Sequence, residues 1–119
     1  MRIFLIRHGE SVSNTGENYV ARVPDHLVSL TETGKAQARQ NGEWLANYCK
    51  EKGIDTGKAR IWRSPYLRTR QTSEEFNKYL HITDIREDIT LTEQQYGLFD
   101  SVPETDWARL YPNEYAEYQ

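Results

Sequence analysis

His8 stands directly after an apolar run, Ile3-Phe4-Leu5-Ile6, with Arg7 before it and Gly9-Glu10 behind. A neutral imidazole can attack a phosphoryl group and hold it covalently, dividing one transfer into two steps. The attacking nitrogen must then be unprotonated, and the other should donate to a fixed acceptor, often a backbone carbonyl. Phosphoryl transfer depends mainly on positioning and on stabilising charge at the equatorial oxygens. Arginine suits that task, because its planar fork grips two phosphate oxygens at once. Arg7 and Arg68 are the candidate clamps, and Gly9 lets backbone approach a ligand closely. The leaving oxygen needs a proton, which the carboxyl of Glu93 can supply. Arg7, His8, Arg68 and Glu93 thus combine a nucleophile, two anion clamps and an acid, and the set calls for no metal or cofactor. The plainer alternative for a histidine after a strand is a capping or core group.

These residues need elements that bring them together. Arg2–Arg7 reads as a strand covered on both faces, as in a parallel sheet. Residues 13–30 read mostly as loop. Thr31 is a plausible N-cap, the stretch from Glu32 to about Lys52 reads as a helix, and Gly53 as its stop. Within it Ala38, Leu45 and Tyr48 share a face, with Trp44 adjacent, while Gly42 counts against a helix interior. Ala59-Arg60-Ile61-Trp62 is a second strand, and Ser64-Pro65 reads as N-cap plus first helical residue of a helix to about Tyr79. Thr69, Phe76 and Leu80 lie near one face of that helix. Asp84–Leu91 reads as a third strand. Pro103 opens a last helix that Pro112 interrupts. The order β-α-β-α-β-α predicts an α/β fold, a three-layer α/β/α arrangement with a mainly parallel sheet. Ligands in such sheets bind beyond the carboxyl ends of the strands. There lie Arg7-His8-Gly9-Glu10, Arg63-Ser64-Pro65-Tyr66-Leu67-Arg68 and Thr92-Glu93.

Composition sets the outer bounds. The chain has 119 residues, a size that allows one domain at most. It is 37% apolar and 28% charged, with a mean hydropathy of -0.85. The formal charge of -3 argues against a general nucleic-acid binder. No apolar run approaches the roughly 18 residues of a membrane span, and the apolar core of Met1–Arg7 is too short for a signal peptide. Cys49 is the only cysteine and is expected to be a buried helix residue. One cysteine without a secretion signal fits a reducing cytoplasm. Charge is unevenly spread. Arg60, Arg63, Arg68 and Arg70 fall in a stretch without acids, whereas Asp84–Gln119 is strongly acidic and reads as a solvated face.

Leu5-Ile6-Arg7-His8-Gly9-Glu10-Ser11 resembles the signature of the histidine phosphatase superfamily, the phosphoglycerate mutase-like proteins. Three further segments resemble it in order: Leu30-Thr31-Glu32-Thr33-Gly34-Lys35-Ala36-Gln37-Ala38, Ser64-Pro65-Tyr66-Leu67-Arg68-Thr69-Arg70-Gln71-Thr72, and Leu91-Thr92-Glu93-Gln94-Gln95-Tyr96-Gly97. The resemblance implies a single domain over residues 1–119, and His8 as the phosphorylated nucleophile. Arg7 and Arg68 would bind the phosphoryl group with Asn14 assisting, and Glu93 would donate the proton. Glu10 would orient neighbours, and Ser11 would cap or touch substrate. Arg63 and Arg70 match no invariant arginine and are expected to face solvent or a substrate rim. His26 reads as a surface residue, and His81 as a helix-end residue.

The implied activity is metal-independent hydrolysis of a phosphomonoester, with a small phosphorylated metabolite as the expected substrate and no nucleic acid or membrane as partner. Glu93-Gln94-Gln95-Tyr96-Gly97-Leu98-Phe99-Asp100 resembles phosphatase branches more than mutases. Mutase-type phosphoryl transfer and a non-catalytic phosphoester-binding domain are the alternatives. An unrelated nucleotide-binding domain is disfavoured, because no Gly-rich phosphate loop follows a strand. The family's second histidine, in a later His-Gly segment, has no counterpart here. The expectation is therefore an N-terminal portion of a longer protein, poorly active alone. A short form completed in a homodimer is the second explanation.

Overall fold

The computed structural model describes residues 1–16, 23–95, 97–99 and 102–119, with only the backbone of Leu98. The expected motif positions Tyr96 and Asp100 lie outside the described residues. The fold is α/β, with parallel strand pairing as expected. Helix α1 spans Glu32–Glu51. Thr31 caps it, its Oγ1 accepting from the Gly34 N–H at 3.1 Å. Beyond its end, Gly53 takes a left-handed φ of 64° and donates its N–H to the Lys50 carbonyl. Strand β1 covers Arg60–Arg63 and strand β2 covers Asp84–Glu87, paired parallel with Ile61 opposite Ile85. Parallel neighbours need a crossover, and helix α2, Leu67–Leu80, supplies it.

Strand β1 is shifted by one residue from the expected Ala59–Trp62, and two boundaries differ by more. Ser64-Pro65 does not open α2. The Ser64 Oγ accepts the Tyr66 N–H at 3.2 Å, Tyr66 is extended at ψ 142°, and the helix starts at Leu67. The strand expected over 84–91 stops at Glu87, because the Asp88 side chain accepts the Thr90 N–H at 2.9 Å and turns 89–91 into a short 3-10 helix. The interruption at Pro112 is found. Helix α3, Glu104–Leu110, gives way to α4, Pro112–Tyr118, with proline at its start.

The larger correction concerns Arg2–Arg7, which forms no strand. Leu5 is 95% exposed, and among the described residues no backbone ladder reaches this segment. A parallel strand needs neighbours for its N–H and C=O groups as well as apolar cover. This run touches α1 through the edge of Phe4 on Tyr48, at 5.9 Å between rings, and lies along a groove that includes Ile61, Phe76 and Leu80.

The core joins α1, β1 and α2 through Leu45, Cys49, Ile61, Phe76, Leu80 and Ile82. Cys49 is buried there as expected. Tyr48 is only half-buried and Trp44 stacks on it from solvent, so Cys49 rather than Tyr48 completes the buried stripe of α1. On α2 Thr69 is half-buried, while Phe76 and Leu80 are buried. Gly42 has a packing reason. A Cβ there would come within 2.5 Å of the Phe76 carbonyl oxygen, so glycine lets α1 and α2 meet backbone to backbone. Phe99 is buried against Trp107, ring centroids 4.5 Å apart, and ties α3 and α4 together with Tyr111 and Tyr118. No helix of the described residues is long and apolar enough to cross a membrane.

Candidate functional site

The His8–Ser11 loop is seated between α1 and α2 by backbone hydrogen bonds to side chains. Gly9 N–H donates to Thr72 Oγ1 at 3.2 Å, and Glu10 N–H to Gln37 Oε1 at 2.8 Å. The Glu10 carbonyl accepts the Thr31 N–H at 3.0 Å, and its carboxylate accepts the Thr31 hydroxyl at 2.7 Å. Glu10 thus orients its neighbours, as expected. Two glycines permit the approach. A Cβ on Gly9 would lie 2.2 Å from the Gly34 oxygen, and one on Gly34 would lie 2.0 Å from the Glu10 oxygen. Ser11 is fully buried and pairs with Leu30 across an antiparallel bridge. The Leu30 N–H donates to Gln71 Oε1 at 2.7 Å.

Within this frame His8 is half-buried, and its Nδ1 lies 2.7 Å from the Gly9 carbonyl oxygen. A carbonyl can only accept, so Nδ1 is the donor in this contact, and a ring protonated there alone has its lone pair on Nε2. Arg7 is exposed beside it. Both line a cavity of about 460 Å³ together with Gln37, Gln40, Asn41 and Trp44.

The other expected site residues, Asn14, Arg68 and Glu93, do not line this cavity. Asn14 spends its side-chain oxygen on the backbone N–H and the hydroxyl of Ser11, each at 2.9 Å, which closes the turn after His8. Ser11 is accordingly engaged in that turn. Arg68 is buried on the first turn of α2, and its guanidinium pairs with Asp25 at 2.9 Å. Glu93 is exposed, with its carboxylate accepting the Gln94 N–H at 3.2 Å. Two residues on, Gln95 Nε2 donates to the Tyr66 hydroxyl at 3.1 Å and approaches Asp25 Oδ2 at 3.4 Å. The segment of Glu93 therefore lies beside Arg68. Thr72 links the two halves: it accepts from Gly9 and donates to the Arg68 carbonyl at 2.8 Å. Among the described residues no hydrogen bond joins His8, Arg68 and Glu93 directly.

Arg63 and Arg70, expected at solvent or a substrate rim, converge on Glu87, Arg70 from an exposed position as expected. Arg70 grips both carboxylate oxygens at 2.8 and 2.7 Å, and Arg63 reaches one at 3.1 Å while also donating to Ser73 Oγ at 2.7 Å. The hydrogen bonds from Arg70, with those from Arg63, hold the Glu87 carboxyl below its ordinary range. Arg70 is raised above its ordinary value, first through the same bonds. Arg63 is mostly buried, which corrects the solvent-facing expectation for it. His26 is exposed, and His81 closes α2 in a left-handed conformation with φ 56°.

Asp25 carried no signal in the sequence. Pro24-Asp25 reads as an ordinary turn, and its partner Arg68 lies 43 residues away. Gln37, Gln71 and Thr72 stood out only as parts of the segments that resemble the superfamily. The structure gives them the task of anchoring loop backbone.

Comparison with known proteins agrees with this frame. The chain is 39% identical over 107 residues to the phosphoglycerate mutase-like protein AT74H of Arabidopsis thaliana, covering 82% of this chain and 37% of that protein. It is 31% identical over 111 residues to the uncharacterized phosphatase PhoE of Bacillus subtilis, covering 93% of this chain and 51% of that one. It is 58% identical over 40 residues to the broad-range acid phosphatase DET1 of Saccharomyces cerevisiae, covering 34% and 12%. The chain thus spans between an eighth and about half the length of these relatives. No solved structure matches it significantly. The model of the histidine phosphatase superfamily, branch 1, matches residues 3–119, and the chain belongs to that superfamily.

Proposed function

We infer that the complete protein hydrolyses phosphomonoesters of small metabolites through a phosphohistidine on His8. The observation that carries this reading is the 2.7 Å contact between His8 Nδ1 and the Gly9 carbonyl. With Nδ1 donating to that carbonyl, Nε2 is the nitrogen available to act as nucleophile, which supports the reading. In the first step a bond forms from Nε2 to phosphorus and the phosphorus–oxygen ester bond breaks. Glu93 gives its proton to the leaving alcohol. In the second step water attacks phosphorus, Glu93 takes the water's proton, and the phosphorus–nitrogen bond breaks to release phosphate. Arg7 and Arg68 are the residues assigned to the equatorial oxygens. Asn14 supports the turn that follows His8. Hydrolysis is preferred to mutase-type transfer because the segment from Glu93 to Asp100 resembles phosphatase branches more than mutases; overall identity is the same, 31%, to a phosphatase over 93% of this chain and to a phosphoglycerate mutase over 95%.

The test is to trap the intermediate. The complete protein is mixed with a phosphomonoester carrying a radiolabelled phosphoryl group and quenched in alkali, which preserves phosphohistidine. Label should remain on the wild-type protein, be released by acid, and be absent from His8→Ala. Label retained by His8→Ala would overturn the assignment of the nucleophile.

A further inference from the structure

Arg68 is assigned above to the phosphoryl group, yet its guanidinium already holds an anion. Nη1 donates to the Asp25 backbone carbonyl at 2.8 Å and to Asp25 Oδ1 at 2.9 Å, and Nη2 approaches Oδ2 at 3.5 Å. The guanidinium lies over the Tyr66 ring, its central carbon 4.9 Å from the ring centroid. Gln95 bridges the Tyr66 hydroxyl and Asp25 Oδ2. Three separate segments thus build one cluster around the fork. The arginine side chain is 6% exposed and the Asp25 side chain 36%. The carboxylate is therefore the member of the pair that an anion from solvent meets first.

The geometry points to Asp25 as a specificity-determining residue, an internal competitor that sets how strongly charged a ligand must be to engage Arg68. This rests on the reading of Arg68 as a phosphoryl clamp. Nη1 spends its donors on the carbonyl and the carboxylate of Asp25. A monoanion offers no more charge than the carboxylate it displaces, and it must also break the contact with Gln95. A dianionic phosphomonoester brings a second charge and three terminal oxygens, so it gains by the exchange. The site accordingly selects dianionic monoesters and rejects phosphodiesters, sulfate monoesters and carboxylates. The specificity comes from a resident competitor, a repulsive element added to an attractive one.

The experiment is titration calorimetry on the complete protein, in mildly alkaline buffer where inorganic phosphate is dianionic. Its probes are inorganic phosphate and the monoanion para-nitrophenyl sulfate. Wild type should prefer phosphate by about a hundredfold, and Asp25→Asn should cut that preference by about tenfold, with the sulfate gaining most. Asp25→Glu, which keeps the charge, should keep the wild-type preference. An unchanged preference in Asp25→Asn overturns the proposal, as does weaker phosphate binding there. Should that variant not fold, wild type decides, because a preference below about threefold also overturns it. Phosphate binding that survives Arg68→Met would defeat the clamp reading itself, an outcome distinct from a failure at Asp25.

Discussion

Replacing Gly34 by alanine should disable the site while leaving the fold largely in place. The new Cβ would sit 2.0 Å from the Glu10 carbonyl oxygen, where side-chain carbons essentially never approach closer than 3.0 Å. The loop must therefore retreat by about an ångström, a displacement that can cost about a hundredfold in rate when it moves reacting groups. Glu10 lies two residues from His8 and holds Thr31 through its carbonyl and carboxylate, so the shift passes directly to the imidazole. We expect kcat/KM for an aryl phosphate to fall about a hundredfold in the complete protein, equivalent to about 2.7 kcal/mol of transition-state stabilisation. Gly42→Ala is the matched control. Its Cβ would meet Phe76 backbone at 2.5 Å, between the helices rather than under the loop. Overpacking there costs about 1–3 kcal/mol, against about 1 kcal/mol gained in helix propensity. Gly42→Ala should lower the melting temperature with kcat/KM little changed. The reasoning is refuted if folded Gly34→Ala keeps kcat/KM within about twofold of wild type, since a Cβ placed 2.0 Å from the Glu10 oxygen would then be absorbed without moving His8.

Other outcomes follow from the same contacts. Thr72→Val keeps shape but leaves the Gly9 N–H without its acceptor and the Arg68 carbonyl without its side-chain donor; chemical denaturation should show a loss of about 1–3 kcal/mol. Glu87→Gln should flatten the acid limb of the stability profile. A carboxyl lowered on folding contributes stability that is complete above its unfolded value, near pH 4.3, and is lost as pH falls through its folded value. Stability measured across that range should show the wild-type slope and its reduction in the variant; equal slopes would contradict the pairing with Arg70 and Arg63. Cys49 is buried in the main core, so a thiol reagent should label it slowly in the native protein and at full rate in urea.

The elements most legible in the sequence are those whose signals are local. Thr31 and Gly53 bracket α1 because a hydroxyl accepting an N–H three residues on, and a glycine free to take positive φ, act within one turn. The break at Pro112 is equally local, since proline lacks the N–H that would continue α3. Where local signals compete, the reading fails by a few residues. Ser64 had a proline beside it that suits a helix start, but its hydroxyl went to Tyr66 and delayed α2 to Leu67. Arg2–Arg7 fails for another reason. Its β-formers state a preference, while a strand exists only where another strand meets it.

The candidate site divides in the same way. The residue types that can transfer a phosphoryl group, Arg7, His8, Arg68 and Glu93, and the segments that carry them, are determined by the sequence itself, because chemistry belongs to side chains and motif spacing is written in the chain. What each side chain binds was decided only in three dimensions. The Arg68 fork took Asp25 from 43 residues away, and Arg70 and Arg63 both took Glu87, Arg63 from a mostly buried position. His8 found its acceptor one residue on, but the loop that presents it is held by Thr72, 63 residues from Gly9. A buried or half-buried charge or N–H must find a partner wherever the packing supplies one, and packing joins residues without regard to their distance along the chain.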